Sequence, residues 1–389
     1  MKDNVLHIYI ARFFSSFNLF VFVPFYPVWL AQEKLLSPLN ISIVTALVII
    51  SLRSASLIFA NAIKKFHKKQ AAVLSLILST ITYLIIFILA VLHIQNIFLW
   101  YLLSLILGAL IAIASLVLLA AIALNIKESA HLRGFSYMNI ALNLSSGVGS
   151  LIGALIIHYN LRYLPLAPVF FSLVAIYFAL NIPRDPIVSI AQVENNQRKL
   201  NKKPYILLTL ASFFTFIAYA QFYDVLPIYA NHTIGARMVG ILYLVSAIVI
   251  VLLQTSFTAL LKKLAHPLIV VIGNILFAMG IFLLLFSGQN ILYLSFLGVI
   301  ILSIGEIAWL PTYQTMAIQL YPKNNPVLAL AIMMTAWGVG ESLATFFGVY
   351  TSMNHTGYSS YILGAICALI AALISYRIFR LKISTVESP

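Results

Sequence analysis

The chain has 389 residues, of which 62% are hydrophobic and only 8% charged, and its mean hydropathy is +1.05. A water-facing surface needs far more charge, so the composition excludes a soluble domain. Apolar runs of about 20 residues recur without strict alternation, which predicts membrane-spanning helices and excludes an outer-membrane barrel. A net charge of +14 would suggest a nucleic-acid partner in a soluble protein, but here membrane topology accounts for most of it. Cys367 is the single cysteine, which leaves no intrachain disulfide and no cysteine metal cluster.

In chain order, twelve spans are predicted: 5–30, 41–63, 71–92, 97–123, 134–158, 165–182, 205–229, 239–261, 268–287, 291–319, 327–352 and 360–376. The first run is too long and too aromatic for a cleavable signal, so the N-terminus is expected to remain. With both termini cytoplasmic, 18 of the 23 Lys and Arg fall on inner segments and three, Lys34, Arg162 and Arg237, on outer loops. That asymmetry sets the orientation. The longest polar connection, residues 183–204, is basic, Asn/Gln-rich and bounded by Pro183 and Pro204. It reads as a cytoplasmic linker between two six-helix halves, 1–182 and 205–389. Faint repetition supports duplication. Residues 121–127 (AIALNIK) match 317–323 (AIQLYPK), and Gly147-Val148-Gly149 in span five matches Gly338-Val339-Gly340 in span eleven. The expected class is therefore an all-α membrane protein of twelve helices in two pseudo-symmetric halves.

Trp29 and Trp100 fall at outer helix ends, as an interfacial belt expects. Trp309 and Trp337 sit at mid-membrane depth, each on a helix face shared with a carboxylate: Glu306 three residues before Trp309, Glu341 four after Trp337. An indole beside a carboxylate suits a flat or cationic organic molecule, and ordinary helix packing explains it as well. Pro311, two residues after Trp309, removes a backbone donor inside the same span.

Three of the nine acidic residues lie within spans: Asp224, Glu306 and Glu341, all in the C-terminal half. The two intramembrane arginines, Arg12 and Arg53, belong to the N-terminal half. A charge exposed to lipid costs roughly 3 kcal/mol, so these groups are expected to border a polar cavity or to pair. A carboxylate in a low-dielectric cavity favours its proton, which makes Glu306 the first proton-coupling candidate, Asp224 the second and Glu341 a flanking one. Asp224 reads equally as an outer gate. Arginine does not deprotonate, but its fork binds carboxylate or phosphate. Arg12 and Arg53 therefore point either to an anionic or zwitterionic substrate or to neutralisation of the internal carboxylates. Asn18, Tyr26, Gln221 and Tyr223 add uncharged hydrogen-bonding groups, and with Trp309 and Trp337 they complete the expected substrate contacts. No histidine falls at a metal-ligand spacing within a span, and no metal or cofactor is expected.

Twelve spans with a basic central loop resemble the major facilitator superfamily, and local features resemble its drug:proton antiporter branch, particularly the MdtH-like multidrug efflux proteins. These features are Ser51-Leu52-Arg53 in span two, Leu226-Pro227-Ile228 ending span seven, Tyr159-Asn160-Leu161-Arg162 in an outer loop, and Arg133-Gly134 after span four. Span five carries Gly147-x-Gly149-Ser150-x-x-Gly153-Ala154, similar to the antiporter Gly-Pro-x-x-Gly-Gly, and its small residues permit close helix crossing. The superfamily loop Gly-x-x-x-Asp-Arg-x-Gly-Arg-Lys aligns with residues 60–69, where the basic end survives but Lys64 replaces the Asp and both glycines are lost. A lysine has the wrong sign beside a positive helix end, so Lys64, Lys68 and the span-five glycines 147, 149 and 153 must gate differently from the family pattern. Ser104 stands roughly where the antiporters carry a span-four Arg. The resemblance implies that spans one, four, seven and ten line the cavity, which places Arg12, Asp224 and Glu306 there.

The expected function is proton-coupled export of small organic molecules, drug-like or anionic like a metabolite or siderophore, by alternating access across a bacterial inner membrane. Import of such a solute is the alternative, and lipid flipping is the alternative of another class. No phosphate loop, His–Glu metal motif or nucleophile elbow is present, so neither an enzyme nor a nucleotide-driven pump is expected. The expected partners are the solute, protons and the bilayer, with no nucleic acid, and the chain is expected to act as a monomer.

Overall fold

A computed structural model describes residues 3–63, 67–125, 131–182, 202–231, 233–261, 264–286, 291–321, 326–354 and 357–386. Among these residues every regular element is helical, and eleven helices are long and apolar enough to cross a membrane. The twelfth, Leu166–Leu180, is apolar but only 15 residues long. At 1.5 Å per residue it rises about 22 Å, short of the ~30 Å hydrocarbon core. The sixth span, expected over 165–182, is thus shortened at both ends. A 3₁₀ turn at Leu161–Tyr163 and Pro165 at the N-cap take up its entry.

The chain packs as two compact units, Met1–Ser189 with Leu226–Ile248, and Ile190–Val225 with Val249–Pro389. The linker expected at 183–204 lies outside the described residues as far as 201. In the first unit, span one runs from Asp3 to Phe22, tightens into a 3₁₀ turn at Val23–Phe25 and resumes over Tyr26–Gln32. Pro24 and Pro27 remove two backbone donors, so an unbroken α-helix is unavailable there. Spans two to five are Pro38–Ile63, Lys68–Val91, Ile97–Asn125 and His131–Asn160. The core of this unit includes Val5, Ile8, Leu76, Val117, Ile122, Met138 and Ala179 from spans one, three, four, five and six. Span five lies tight on span one: a methyl at Gly149 would meet the Phe17 carbonyl at 3.2 Å. Span eight, Ala236–Leu261, meets span five at Gly147 against Ala247 and at Gly240 against Ala154, which joins its first part to this unit.

In the second unit, span seven is Lys202–Ala220 followed by a π turn, Gln221–Val225. Spans nine to twelve are His266–Leu284, Leu292–Leu320, Pro326–Met353 and Tyr358–Val386. Spans nine and ten cross antiparallel on two reciprocal glycine pairs seven residues apart. A methyl on Gly273 would lie 2.9 Å from the Gly305 carbonyl and one on Gly305 2.6 Å from that of Gly273; Gly280 and Gly298 repeat the contact at 2.6 and 2.9 Å. Such backbone approach is how membrane helices gain packing without a hydrophobic drive between them. A methyl on Gly340 of span eleven would lie 2.5 Å from the Phe213 carbonyl of span seven. Gly149 and Gly340, the matching glycines of the sequence repeat, thus do the same work on the first helix of their respective halves.

Two further features differ from the sequence expectation. Trp29 and Trp100 are both 0% exposed and pack on each other at 6.3 Å, with Trp100 Nε1 donating to the Ile94 carbonyl. They close the interior of the helix ends and form no lipid-facing belt. Span twelve, expected to end at 376, continues to Val386 because nothing after the basic residues 377–382 breaks a helix.

Candidate functional site

The π turn organises the polar groups of the second unit. Pro227 cannot donate to the carbonyl four residues before it, which loosens the α pattern just upstream. Single π turns inside α-helices concentrate at functional sites. From this turn, consecutive residues reach different helices. The Tyr223 hydroxyl donates to Glu306 Oε2 of span ten at 2.9 Å. Asp224 Oδ2 accepts from Thr345 Oγ1 of span eleven at 2.7 Å. Gln221 is held by span twelve: Ser360 donates to its side-chain oxygen, and the Tyr361 hydroxyl donates to its backbone carbonyl at 3.0 Å.

All three carboxylates are buried, Glu306 and Asp224 at 6% exposure and Glu341 at 2%. Thr345 links two of these residues, because its hydroxyl also lies 2.8 Å from the Glu341 carbonyl. One hydroxyl carries one proton. With Asp224 protonated, the acid donates to Thr345 while Thr345 donates to the carbonyl; with Asp224 ionised, the hydroxyl turns to the carboxylate.

An aromatic column stands beside these groups. Trp337 stacks on Phe216 at 4.4 Å, Phe216 lies 4.9 Å from Tyr219, and Tyr219 stacks on Tyr223 at 4.3 Å. Trp309 meets Phe216 and Tyr219 edge-on at 5.6 and 6.1 Å. The structure thus brings Trp309, Trp337, Tyr223 and Glu306 of the expected set into one cluster, and both indole N–H groups are buried without a hydrogen-bond partner. Phe216, Tyr219 and Thr345 were not singled out from the sequence. Their signals were present: rings at 216, 219 and 223 share one helix face, and Thr345 lies one turn beyond Glu341. Below the column, Thr215 donates to Asn274 Oδ1 at 2.7 Å and lies 2.8 Å from the Tyr313 hydroxyl, joining spans seven, nine and ten.

In the first unit, Arg12 is partly buried, and its Nη1 is buried with no hydrogen-bond partner. Asn18, on the same span, donates to Ser172 Oγ of span six at 2.7 Å and leaves Oδ1 unpartnered. The Tyr26 and Ser104 hydroxyls are both buried, and neither completes a hydrogen bond. Arg53 is partly exposed on span two. Of the expected gating residues, Lys64 lies outside the described residues and Lys68 opens span three. Gly149 and Gly153 press on span one, at Phe17 and at Val21, and Gly147 presses on span eight. No group of three metal-ligating side chains occurs among the described residues.

The sequence matches the Major Facilitator Superfamily over residues 8–344 and again over 230–388. It is 25% identical over 264 residues to an uncharacterized MFS-type transporter, YttB, of Bacillus subtilis (strain 168), covering 66% of each chain. The match thus spans just under two thirds of that relative's length. Among solved structures it is similar to a peptide transporter POT in complex with sulfate, at TM-score 0.80 and 14% identity, covering 97% of this chain and 95% of that one. A D-xylose-proton symporter gives TM-score 0.78 at 13% identity, covering 96% and 97%. A point mutant of the nucleoside transporter NupG gives 0.77 at 13%, covering 97% and 100%. At these identities the likeness is one of fold.

Proposed function

Since the chain belongs to the Major Facilitator Superfamily and is a membrane transporter of that type, we propose that it exports a small organic solute against protons by alternating access. The observation that carries this reading is the Tyr223–Glu306 hydrogen bond, a buried carboxylate held by a hydroxyl on the π turn of span seven. Glu306 is the first proton carrier, Asp224 the second through its contact with Thr345, and Glu341 completes the acidic set. Loading Glu306 alters what Tyr223 bonds, and the turn passes that change to spans ten, eleven and twelve together.

The solute is an organic molecule with an anionic or hydrogen-bond-accepting end, a class that includes metabolites and siderophores as well as acidic drugs. The buried, unpartnered Nη1 of Arg12 supports this, because an unsatisfied buried guanidinium donor is costly until an acceptor arrives. Arg53, Asn18, Tyr26, Gln221, Tyr223, Trp309 and Trp337 are the other proposed contacts. Glycines 147, 149 and 153, with Lys64 and Lys68, are proposed to govern opening in a member of the drug:proton antiporter branch. The two halves, 1–182 and 205–389, are joined by residues 183–204, with both termini on the cytoplasmic face of a bacterial inner membrane.

The test uses the purified protein in liposomes loaded with a pH-sensitive dye and challenged with a panel of carboxylate, phosphate, sugar and cationic solutes. Proton movement that follows the gradient of an anionic solute is expected, with the Arg12→Gln variant silent. Solute transport with no accompanying proton movement would overturn proton coupling, and a response confined to cations would overturn the substrate class.

A further inference from the structure

We infer that spans nine and twelve form a binding site for one anionic phospholipid of the inner leaflet, separate from the solute site. An apolar groove lies between them, lined by Val271, Ile275, Leu369, Ala372, Leu373 and Tyr376. Its walls face outward: Leu373 is 66% exposed and Leu369 47%. Lipid-facing leucines are ordinary in a membrane protein, but a groove between two helices is the shape an acyl chain fills. The groove ends at Tyr376, and there the chemistry changes. The Arg380 guanidinium rests over the Tyr376 ring at 5.6 Å, and both Arg377 and Arg380 are exposed. A cation–π seat fixes the direction of a side chain that would otherwise sample many rotamers.

The two features lie at the same end of both helices. Span twelve carries its basic residues at its C-terminal end, and Val271 and Ile275 are within three turns of the N-terminal end of span nine, Lys262 and Lys263 lying just ahead of it. By the charge asymmetry of the sequence this is the cytoplasmic side, where anionic lipid attracts basic residues near the surface. The fork of Arg380, with Arg377 one position past Tyr376, matches a phosphate, and the groove matches the chain attached to it. A free phosphate would have no use for the groove, and a zwitterionic lipid would bring its own cation against the guanidinium pair, which a net-negative headgroup does not.

Native mass spectrometry of the full chain, released from detergent with added phosphatidylglycerol or phosphatidylcholine, tests the site. One tightly retained phosphatidylglycerol is expected, with retention reduced on the order of tenfold in R377Q/R380Q and unchanged in K202Q/K203Q, a second basic pair at an inner helix end. Ala372→Leu, which fills the groove and leaves the charges in place, is expected to lower retention as well. Equal retention of the two lipids, an equal loss in K202Q/K203Q, or no effect of Ala372→Leu would overturn the proposal. Competition by glycerol phosphate as effective as by the whole lipid would overturn the part assigned to the groove.

Discussion

Tyr223 and Asp224 are neighbours in the chain, yet their side chains bind opposite partners: Tyr223 donates to Glu306 on span ten, and Asp224 accepts from Thr345 on span eleven. A π turn places both tips in the interior of the second unit and so ties one short segment to two helices. The proposed mechanism rests on this geometry, because a proton gained by either carboxylate changes what spans seven, ten and eleven hold in common.

Tyr223→Phe removes the hydroxyl and leaves the ring stacked on Tyr219. A hydrogen bond to a charged group contributes about 1.5–3 kcal/mol, so coupled transport is expected to fall roughly ten- to a hundredfold with the fold intact. Initial uptake rates in liposomes at fixed pH gradient check this, and circular dichroism checks the fold.

Thr345→Val keeps the shape of the side chain and removes the hydroxyl that donates to Asp224 Oδ2. A loss of about 1–3 kcal/mol is expected, and Thr345→Ser should restore most of it. Thermal unfolding in detergent measures both, and equal stability of the Val and Ser variants would show that the hydroxyl contributes nothing there.

Gly305→Ala puts a methyl 2.6 Å from the Gly273 carbonyl and 2.9 Å from the Phe277 nitrogen. Spans nine and ten cannot keep their crossing, and the residue beside Gly305 is Glu306. Strong destabilisation, or a folded protein with impaired transport, is expected. Normal stability together with normal transport would contradict the tight crossing.

Thr215, Asn274 and Tyr313 satisfy one another at a fully buried point of contact among three helices. Interhelical hydrogen bonds in membranes average about 0.6 kcal/mol and reach about 1.7. Asn274→Leu removes both the acceptor for Thr215 and a donor to Tyr313 and is expected to exceed Tyr313→Phe in cost. Chemical denaturation of the two variants and their double mutant gives the coupling.

Much of this molecule can be read from composition and charge, because a bilayer demands long apolar helices and sorts Lys and Arg to one side. Helix ends proved softer: the basic run 377–382 marks where span twelve meets the polar face of the membrane, and hydrogen bonding carries the helix on to Val386. Glu306, Asp224 and Trp309 stand out in sequence because each is costly or bulky in an apolar run. Thr345 and Tyr219 do not, since a threonine or tyrosine in a membrane helix is cheap and common. Their importance comes from which helix they face, and that is set by packing. The glycines at 273, 280, 298 and 305 carried a seven-residue spacing in plain view, but only the crossing of spans nine and ten shows that the two pairs meet. Trp29 and Trp100 mark the opposite case, where position along the helix suggests lipid contact and rotation about its axis turns the ring inward.

Glu306→Gln in liposomes separates proton coupling from solute passage, by comparing solute accumulation driven by a pH gradient with solute-for-solute exchange at equal pH. Exchange is expected to survive while gradient-driven accumulation is lost. Accumulation at the wild-type level, still responsive to the pH gradient, would contradict proton coupling through Glu306.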